Sequence, residues 1–247
     1  MLNWFRSGSH SKSDLKDFSF LSTDIHSHLL PGIDDGASTL EDSLKLLERL
    51  QSLGFKKAIT TPHVMEDFYK NTPAIISGKL KEVQEAAKQA GLSIQVEAAA
   101  EYYMDGNFMS QLNAESLLTF GNKYVLFEIS FVYPPVQLLE IVFQAQVKGY
   151  KLVLAHPERY PYWHHDFSMF EKLKETGVYF MVNTISFSGY YGKDCKVAAE
   201  KIAEKGWINF LASDTHAIKH TLALERSLQS SALSKISKAG TLLNPTV

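Results

Sequence analysis

A chain of 247 residues, 45% of them hydrophobic, can bury a large core, and its length fits one barrel-type domain. The formal net charge of −2, with no dense Lys/Arg run, excludes the electrostatic footprint of a nucleic-acid or lipid-surface binder. The single cysteine, Cys195, rules out an intramolecular disulfide framework and suits a reducing cytoplasm, and no apolar run is long enough for a membrane span.

In chain order, residues 1–6 carry too few consecutive apolar side chains for a secretory segment, and the Ser/Lys/Asp-rich stretch 7–17 reads as mobile. Residues 1–19 are therefore expected to form an extension, with Trp4 and Phe5 more often frayed than docked and His10 without a role; residues 20–247 form the domain. The apolar run 18–25 predicts a strand that leads into Asp24-Ile-His26-Ser-His28. After the loop 29–37, Ser38 and Glu41 predict a capping box for a helix carrying Leu40, Leu44, Leu47 and Leu50, stopped by Gly54. Strand 57–61 runs into Pro62-His63, and a second helix opens on Thr72 and Pro73, buries Ile76, Leu80, Val83 and Ala87, and ends at Gly91.

Residues 93–100 extend into Glu101, a short helical piece covers 105–112, and strand 124–129 contains Glu128. Pro134-Pro135 opens a helix through Gln146, and the nearly all-apolar strand 151–155 delivers His156-Pro-Glu-Arg159. Helix 167–175 with strand 178–183, helix 193–205 with strand 207–212, and a terminal helix 222–237 complete the pattern. Seven strands, most of them followed by a helix, predict an α/β fold with a mostly parallel sheet closed into a TIM-like barrel, whose functional groups sit at the carboxyl ends of the strands.

Six of the seven predicted strands end in His, Asp or Glu, too many for ordinary loop starts. In Asp24-Ile-His26-Ser-His28 and Ser213-Asp214-Thr-His216, metal-binding side chains lie two residues apart, a spacing that turns both to one side of an extended segment. With Asp35, His63, Glu101, Glu128 and His156 between them, the candidates are His26, His28, Asp35, His63, Glu101, Glu128, His156, Asp214 and His216. Nine ligands exceed one coordination sphere and imply two or three ions. A mixed imidazole and carboxylate set without thiolate suits Mn2+, Fe2+ or Zn2+ better than Mg2+ or Ca2+. Cations clustered in this way make hydroxide available near neutrality and clamp the oxygens of a phosphoryl transfer, so hydrolysis is expected. Arg159, three residues past His156, offers a planar donor fork for a phosphate.

The series Asp24-Ile-His-Ser-His-Leu-Leu-Pro-Gly-Ile-Asp-Asp-Gly36, Thr61-Pro-His63, Glu101, Glu128, His156-Pro-Glu-Arg159 and Ser213-Asp-Thr-His216 resembles the motifs of the polymerase and histidinol phosphatase (PHP) superfamily. Within it, the series is similar to the bacterial metal-dependent protein-tyrosine phosphatases of capsule and exopolysaccharide clusters. The resemblance implies a distorted (β/α)7 barrel and a trinuclear, typically manganese-activated site. It also implies that the substrate is phosphotyrosine on the C-terminal tail of a cognate tyrosine kinase. By the same resemblance His26, His28 and Asp214 hold one ion; Glu101 bridges to a second completed by Glu128 and His156; Asp35, His63 and His216 hold the third. Asp34 rivals Asp35, with a turn before Gly36 as its ordinary role. The catalytic set is then Arg159 on the phosphoryl group, Asp214 in the cluster, and His63 as an acid for the leaving phenolate.

The sequence departs from the pattern in the residues that precede position 21 and in lacking an arginine soon after His216, where Lys219 and His220 stand and the first arginine is Arg226. Tyr133, Tyr160, Tyr162, Phe187, Tyr190 and Tyr191 follow strand ends and are candidates to wall a slot for a phenyl ring, though each alone is more often packing. His164, His165 and Cys195 are expected to be structural or surface residues, since position 201 is lysine where a cysteine phosphatase needs arginine. The alternatives are a small-molecule phosphatase of the histidinol-phosphate type, a barrel amidohydrolase, and a catalytically weak metalloprotein that binds and regulates a kinase.

Overall fold

Parallel strands alternate with helices along the computed structural model, which describes residues 13–247. Trp4, Phe5 and His10 lie outside the described residues. A three-stranded sheet has the order β1 (Thr23–Asp24), β2 (Lys57–Thr60), β4 (Gln95–Ala98). A six-stranded sheet has the order β3 (His63–Val64), β5 (Glu101–Tyr103), β6 (Tyr124–Glu128), β7 (Lys151–Ala155), β8 (Tyr179–Asn183), β9 (Ile208–Ala212). Every pairing is parallel. The connecting helices are α1 (Leu40–Ser52), α2 (Pro73–Gln89), α3 (Gly106–Asn113), α4 (Leu138–Val147), α5 (Ser168–Glu175), α6 (Lys193–Glu204), α7 (Ile218–Ser227) and α8 (Ser231–Ala239).

The predicted strands 57–61 and 93–100 contain β2 and β4, and past the end of each the chain continues into a strand of the other sheet, β3 and β5. At Thr61-Pro62 the proline has no N–H to give a ladder, while Thr61 N donates to Ser27 O at 2.8 Å. β2 then continues as β3 beside β5, with His63 opposite Glu101. The chain after β1 stays extended, so that Ser27 bridges Thr215 in parallel, Asp214 N donates to His26 O at 2.9 Å and His28 N donates to Thr215 O at 2.9 Å. The first and last chemical motifs thus meet through backbone hydrogen bonds.

Alternation along the strands separates two layers of core. On β6, Val125 and Phe127 pack toward the helices with Leu152 and Leu154 of β7, while Leu126 and Val153 turn the other way onto Ile25, Ile59, Ala99, Met181, Phe210 and Ala212. Burial on both faces is why these strands read as nearly continuous apolar runs. α1 contributes Leu46, Leu47 and Leu50 to the outer layer, and α2 contributes Ile76, Val83 and Ala87.

Local corrections have local causes. The capping box of α1 is one residue later than predicted: Thr39 Oγ1 accepts from Asp42 N and the Asp42 carboxylate accepts from Thr39 N. α4 opens at Leu138, because Pro135 disfavours helical backbone at Pro134. The single terminal helix is two, α8 restarting where the Ser230 hydroxyl accepts from Leu233 N. The predicted strand 18–25 is ladder-paired only at Thr23–Asp24.

Residues 13–19, assigned to the extension on composition, pack against the body. Phe18 is fully buried, stacks on Phe55 with ring centroids 5.5 Å apart and donates its N–H to Leu53 O at 2.8 Å. Asp14 pairs with Lys238 at 2.8 Å and accepts from the Ser234 hydroxyl. One aromatic anchor outweighs its polar neighbours. Phe18→Ala is expected to destabilise the protein by about 3–5 kcal/mol, read as a lower midpoint in urea unfolding with the slope unchanged.

Candidate metal centre

Strand ends and one loop deliver all nine predicted ligands to one place. His26 and His28 follow β1, His63 opens β3, Glu101 opens β5, Glu128 closes β6, His156 follows β7, and Asp214 and His216 follow β9. Asp35 comes from the loop between β1 and α1. Their ligand atoms fall into four overlapping groups, each within 4.8 Å: His28, Asp35, His63 and His216; His26, His28 and Asp214; His26, Glu101 and His156; His63, Glu101 and Glu128.

The backbone is shaped for this convergence. His156 and Asp214 stand in left-handed conformations, with φ of 35° and 50°, which non-glycine residues hold only where their surroundings fix them. Gly36 lies so close to His28 that a β-carbon there would collide with the His28 backbone and side chain. That contact gives the glycine of the Asp34-Asp35-Gly36 turn its reason. The neighbouring aspartates divide the work: Asp34 accepts from Gly36 N at 3.0 Å and His63 N at 3.2 Å and faces His28 Nδ1 at 2.8 Å, while Asp35 faces the Nε2 atoms of His63 and His216, each at 3.5 Å. Asp34 therefore orients His28 and leaves its Nε2 for the cluster.

Glu101 is the hub. Its carboxylate lies 3.0 Å from His156 Nε2, 3.0 Å from His63 Nδ1, 3.5 Å from His26 Nε2 and 3.6 Å from His28 Nε2. Burial penalises its charge, yet His26, His63 and His156 outweigh that penalty and hold it well below the usual carboxylate range. Asp214 is likewise held low against burial by His26, His216 and Arg159. The imidazoles answer in kind. Burial disfavours the charged form of His63, but Glu101 and Glu128 push it well up; Asp214 and Asp35 overcome burial to raise His216 to about 9. His28 is instead pushed down to about 4 by burial and by His216.

Shared protons do not satisfy the cluster. The buried atoms His26 Nε2, His28 Nε2, His63 Nδ1 and Glu101 Oε2 have no partner in hydrogen-bond geometry, although buried polar groups are normally satisfied. Orphaned imidazole nitrogens and a carboxylate oxygen turned toward one another are donors that fit divalent cations. Both ring nitrogens of His63 face carboxylates.

The cluster floors a cavity of about 550 Å³ walled by Phe131, Arg159, Tyr190 and Tyr191, with Lys219 and His220 at its edge. Arg159 reaches Asp214 Oδ2 at 3.1 Å and lies 4.9 Å from the Phe131 ring and 4.4 Å from the Tyr191 ring. Asp214 Oδ2 also accepts from Asn183 Nδ2 at 2.6 Å and the Tyr191 hydroxyl at 3.2 Å, which leaves Oδ1 for His26 at 3.2 Å and His28 at 3.6 Å.

Asn183 and Phe131 escaped the sequence reading. Asn183 ends β8, the one of the seven predicted strands that leads into no candidate His, Asp or Glu, and its position alone could have signalled it. Glu158, read only as a letter of the His-Pro-Glu-Arg run, is fully buried and accepts from Asn183 N and the Ser186 hydroxyl. Of the six aromatic candidates, Tyr190 and Tyr191 line the cavity; Tyr160 and Phe187 are core, Tyr162 donates to Ser130 O, and Tyr133 is exposed outside it. His164 Nε2 bonds to Glu158 O, Cys195 is free and half-buried, and neither they nor His165 or Arg226 line the cavity. Among the described residues, no helix is long and apolar enough to cross a membrane.

Comparison with known proteins adds independent findings. The profile of the capsular polysaccharide synthesis family CpsB/CapC matches residues 22–232. Tyrosine-protein phosphatase YwqE of Bacillus subtilis is 31% identical over 197 residues, covering 79% of this chain and 78% of that protein. The putative tyrosine-protein phosphatase CapC of Staphylococcus aureus is 24% identical, covering 79% and 77%. A solved structure from work on YwqE of B. subtilis and CpsB of Streptococcus pneumoniae, described as unique metal-dependent tyrosine phosphatases, superposes with a TM-score of 0.79. It has 29% identity and covers 91% of this chain and 94% of that one.

Proposed function

This chain belongs to the CpsB/CapC capsular polysaccharide synthesis family, and from that premise we propose that it is a metal-dependent phosphomonoesterase acting on protein phosphotyrosine. The observation that carries the reading is the convergence of nine imidazole and carboxylate side chains beneath a cavity walled by one arginine and three aromatic rings. The ring of pairings from β1 through β2 and β3, β4 and β5, then β6 to β9, with the Ser27 bridge to Thr215, supports a distorted seven-stranded barrel. So does the single inner apolar layer fed by all seven strand units.

Two or three divalent ions fit the donor set, with manganese as the expected metal. His26, His28 and Asp214 form one group, and His28, Asp35, His63 and His216 another; Glu101 and Glu128 with His63, and Glu101 with His156, provide the rest. When bound, such ions supply a nucleophile at neutral pH and positive charge for the phosphoryl oxygens. The chain's own groups do the remaining work. Arg159 spends one donor on Asp214 and, with four N–H groups left, binds the phosphoryl group at the cavity wall. Phe131, Tyr190 and Tyr191 provide flat apolar surface for a phenyl ring. His63, with both nitrogens turned to carboxylates, serves the cluster. The leaving phenolate needs little acid help because phenol ionises near 10.

The family context supports a phosphotyrosine-bearing protein as substrate, the tail of a tyrosine kinase that governs polysaccharide synthesis being the expected one, in the cytoplasm. Rates on a phosphotyrosyl peptide, a phosphoseryl peptide and histidinol phosphate test the reading. The tyrosyl ester is expected to be hydrolysed at least tenfold faster than either, and preference for histidinol phosphate would overturn it.

A further inference from the structure

We propose that an exposed apolar band, starting at Phe131 and running along the outer face of α4, docks the polypeptide that flanks the phosphotyrosine and selects apolar side chains in it. The proposal rests on the reading of the cavity as a phosphotyrosine site. Seven of the twelve exposed large apolar side chains among the described residues lie between Phe131 and Val147. α4 buries Leu138, Ile141, Val142 and Ala145, while Leu139, Phe143 and Val147, spaced four apart, form one outward stripe. The loop before the helix adds Val132 and Val136, 78% and 102% exposed. Between residues 131 and 147 the only Asp, Glu, Lys, Arg or His is Glu140. Contiguous apolar surface of this kind marks binding sites rather than ordinary solvent-facing helix.

Continuity with the cavity identifies the occupant. Phe131 belongs to both: it walls the cavity 4.9 Å from the Arg159 guanidinium and is the first member of the band. A phosphotyrosine held at Arg159 sends its chain out past Phe131. An extended chain advances about 3.3 Å per residue, and a helix rises about 1.5 Å per residue, so a handful of flanking residues reaches from the rim to Phe143. A nearly uncharged surface favours apolar partners and gains nothing from a charged tail. A second copy seated on the same band would crowd the cavity mouth that a protein substrate must enter.

The test compares wild-type enzyme with Val136→Asp/Phe143→Glu, both sites being exposed and outside the cavity, on three substrates: free phosphotyrosine, a phosphotyrosyl peptide with Val and Leu beside the ester, and the same peptide with Ser and Gly there. Wild type is expected to show at least a tenfold lower KM for the apolar peptide than for the Ser/Gly one. The variant should lose that difference through KM while kcat/KM on free phosphotyrosine and the melting temperature stay unchanged. Equal KM values for the two peptides in wild type, with full turnover, would overturn the docking surface alone. So would a wild-type dimer by light scattering that the variant dissociates. Absence of turnover on all three esters would overturn the phosphatase reading, and this inference with it.

Discussion

Asp214→Asn is expected to lower kcat on phosphotyrosine by at least about a thousandfold without unfolding the protein. A single preorganised electrostatic group is commonly worth about 10²–10³ in kcat, and Asp214 organises several. One oxygen receives Arg159, Asn183 and Tyr191; the other faces His26 and His28. The amide keeps the volume but removes the charge, and its NH2 confronts donors on one side or imidazoles on the other. Arg159 loses its partner, and the His26–His28 pair loses the carboxylate that completes its group. Because His26 can neutralise by releasing a proton, the fold survives with a modest loss of stability rather than the full cost of a stranded buried charge. Elemental analysis should find less bound metal than in wild type, and circular dichroism an unchanged spectrum. Asn183→Ala, which removes only a group that positions Asp214, should cost about 10- to 100-fold, as outer partners of ligands do. A folded, fully loaded Asp214→Asn enzyme with wild-type kcat would remove Asp214 from the machinery.

The two pairs at i and i+2 were legible because extended backbone has a period of two, and that period also sets which strand residues face the inner layer. What the sequence could not give was the reach of a hydrogen bond. Asp34 and Asp35 are adjacent and chemically identical, and only the close approach of Gly36 to His28 decides which orients an imidazole and which faces the cluster. Asn183 was invisible to a search for metal-binding residue types, since its contribution is to another side chain. Phe18 opens an apolar run that reads as a strand, but its partner Phe55 lies on a distant part of the chain, so the anchoring of the segment before it shows only in the fold. The strand 57–61 read as running straight into Pro62-His63; its passage from one sheet to the other, with Thr61 N donating to Ser27 O beside a proline that has no N–H, shows only in the fold.

Chelation is expected to abolish turnover and readdition of a divalent ion to restore it, and the accompanying protons report on the site more sharply than activity does. A histidine must be deprotonated to offer a lone pair to a metal. In the cation-free protein the carboxylates they face raise His26, His63 and His216, so near pH 7.5 His216, raised to about 9, carries a proton that loading must displace. His28, held down to about 4, contributes none. Calorimetric titration with manganese in two buffers of different ionisation enthalpy should reveal net proton release on loading, and affinity should weaken as the pH falls.

The same shifts set how the stability of the metal-free protein depends on pH. For a group raised from 6.5 to about 9, as His216 is, the stabilising contribution is complete below 6.5 and lost as pH rises through 9. With a side chain only 16% exposed, it contributes at most about 3 kcal/mol. The metal-free protein should therefore melt lower at pH 9 than at pH 6.5, while the loaded protein is sustained by binding that strengthens with pH. The difference between loaded and stripped melting temperatures should widen across that interval. A constant difference, or loading without proton release, would mean that these histidines do not meet the metal.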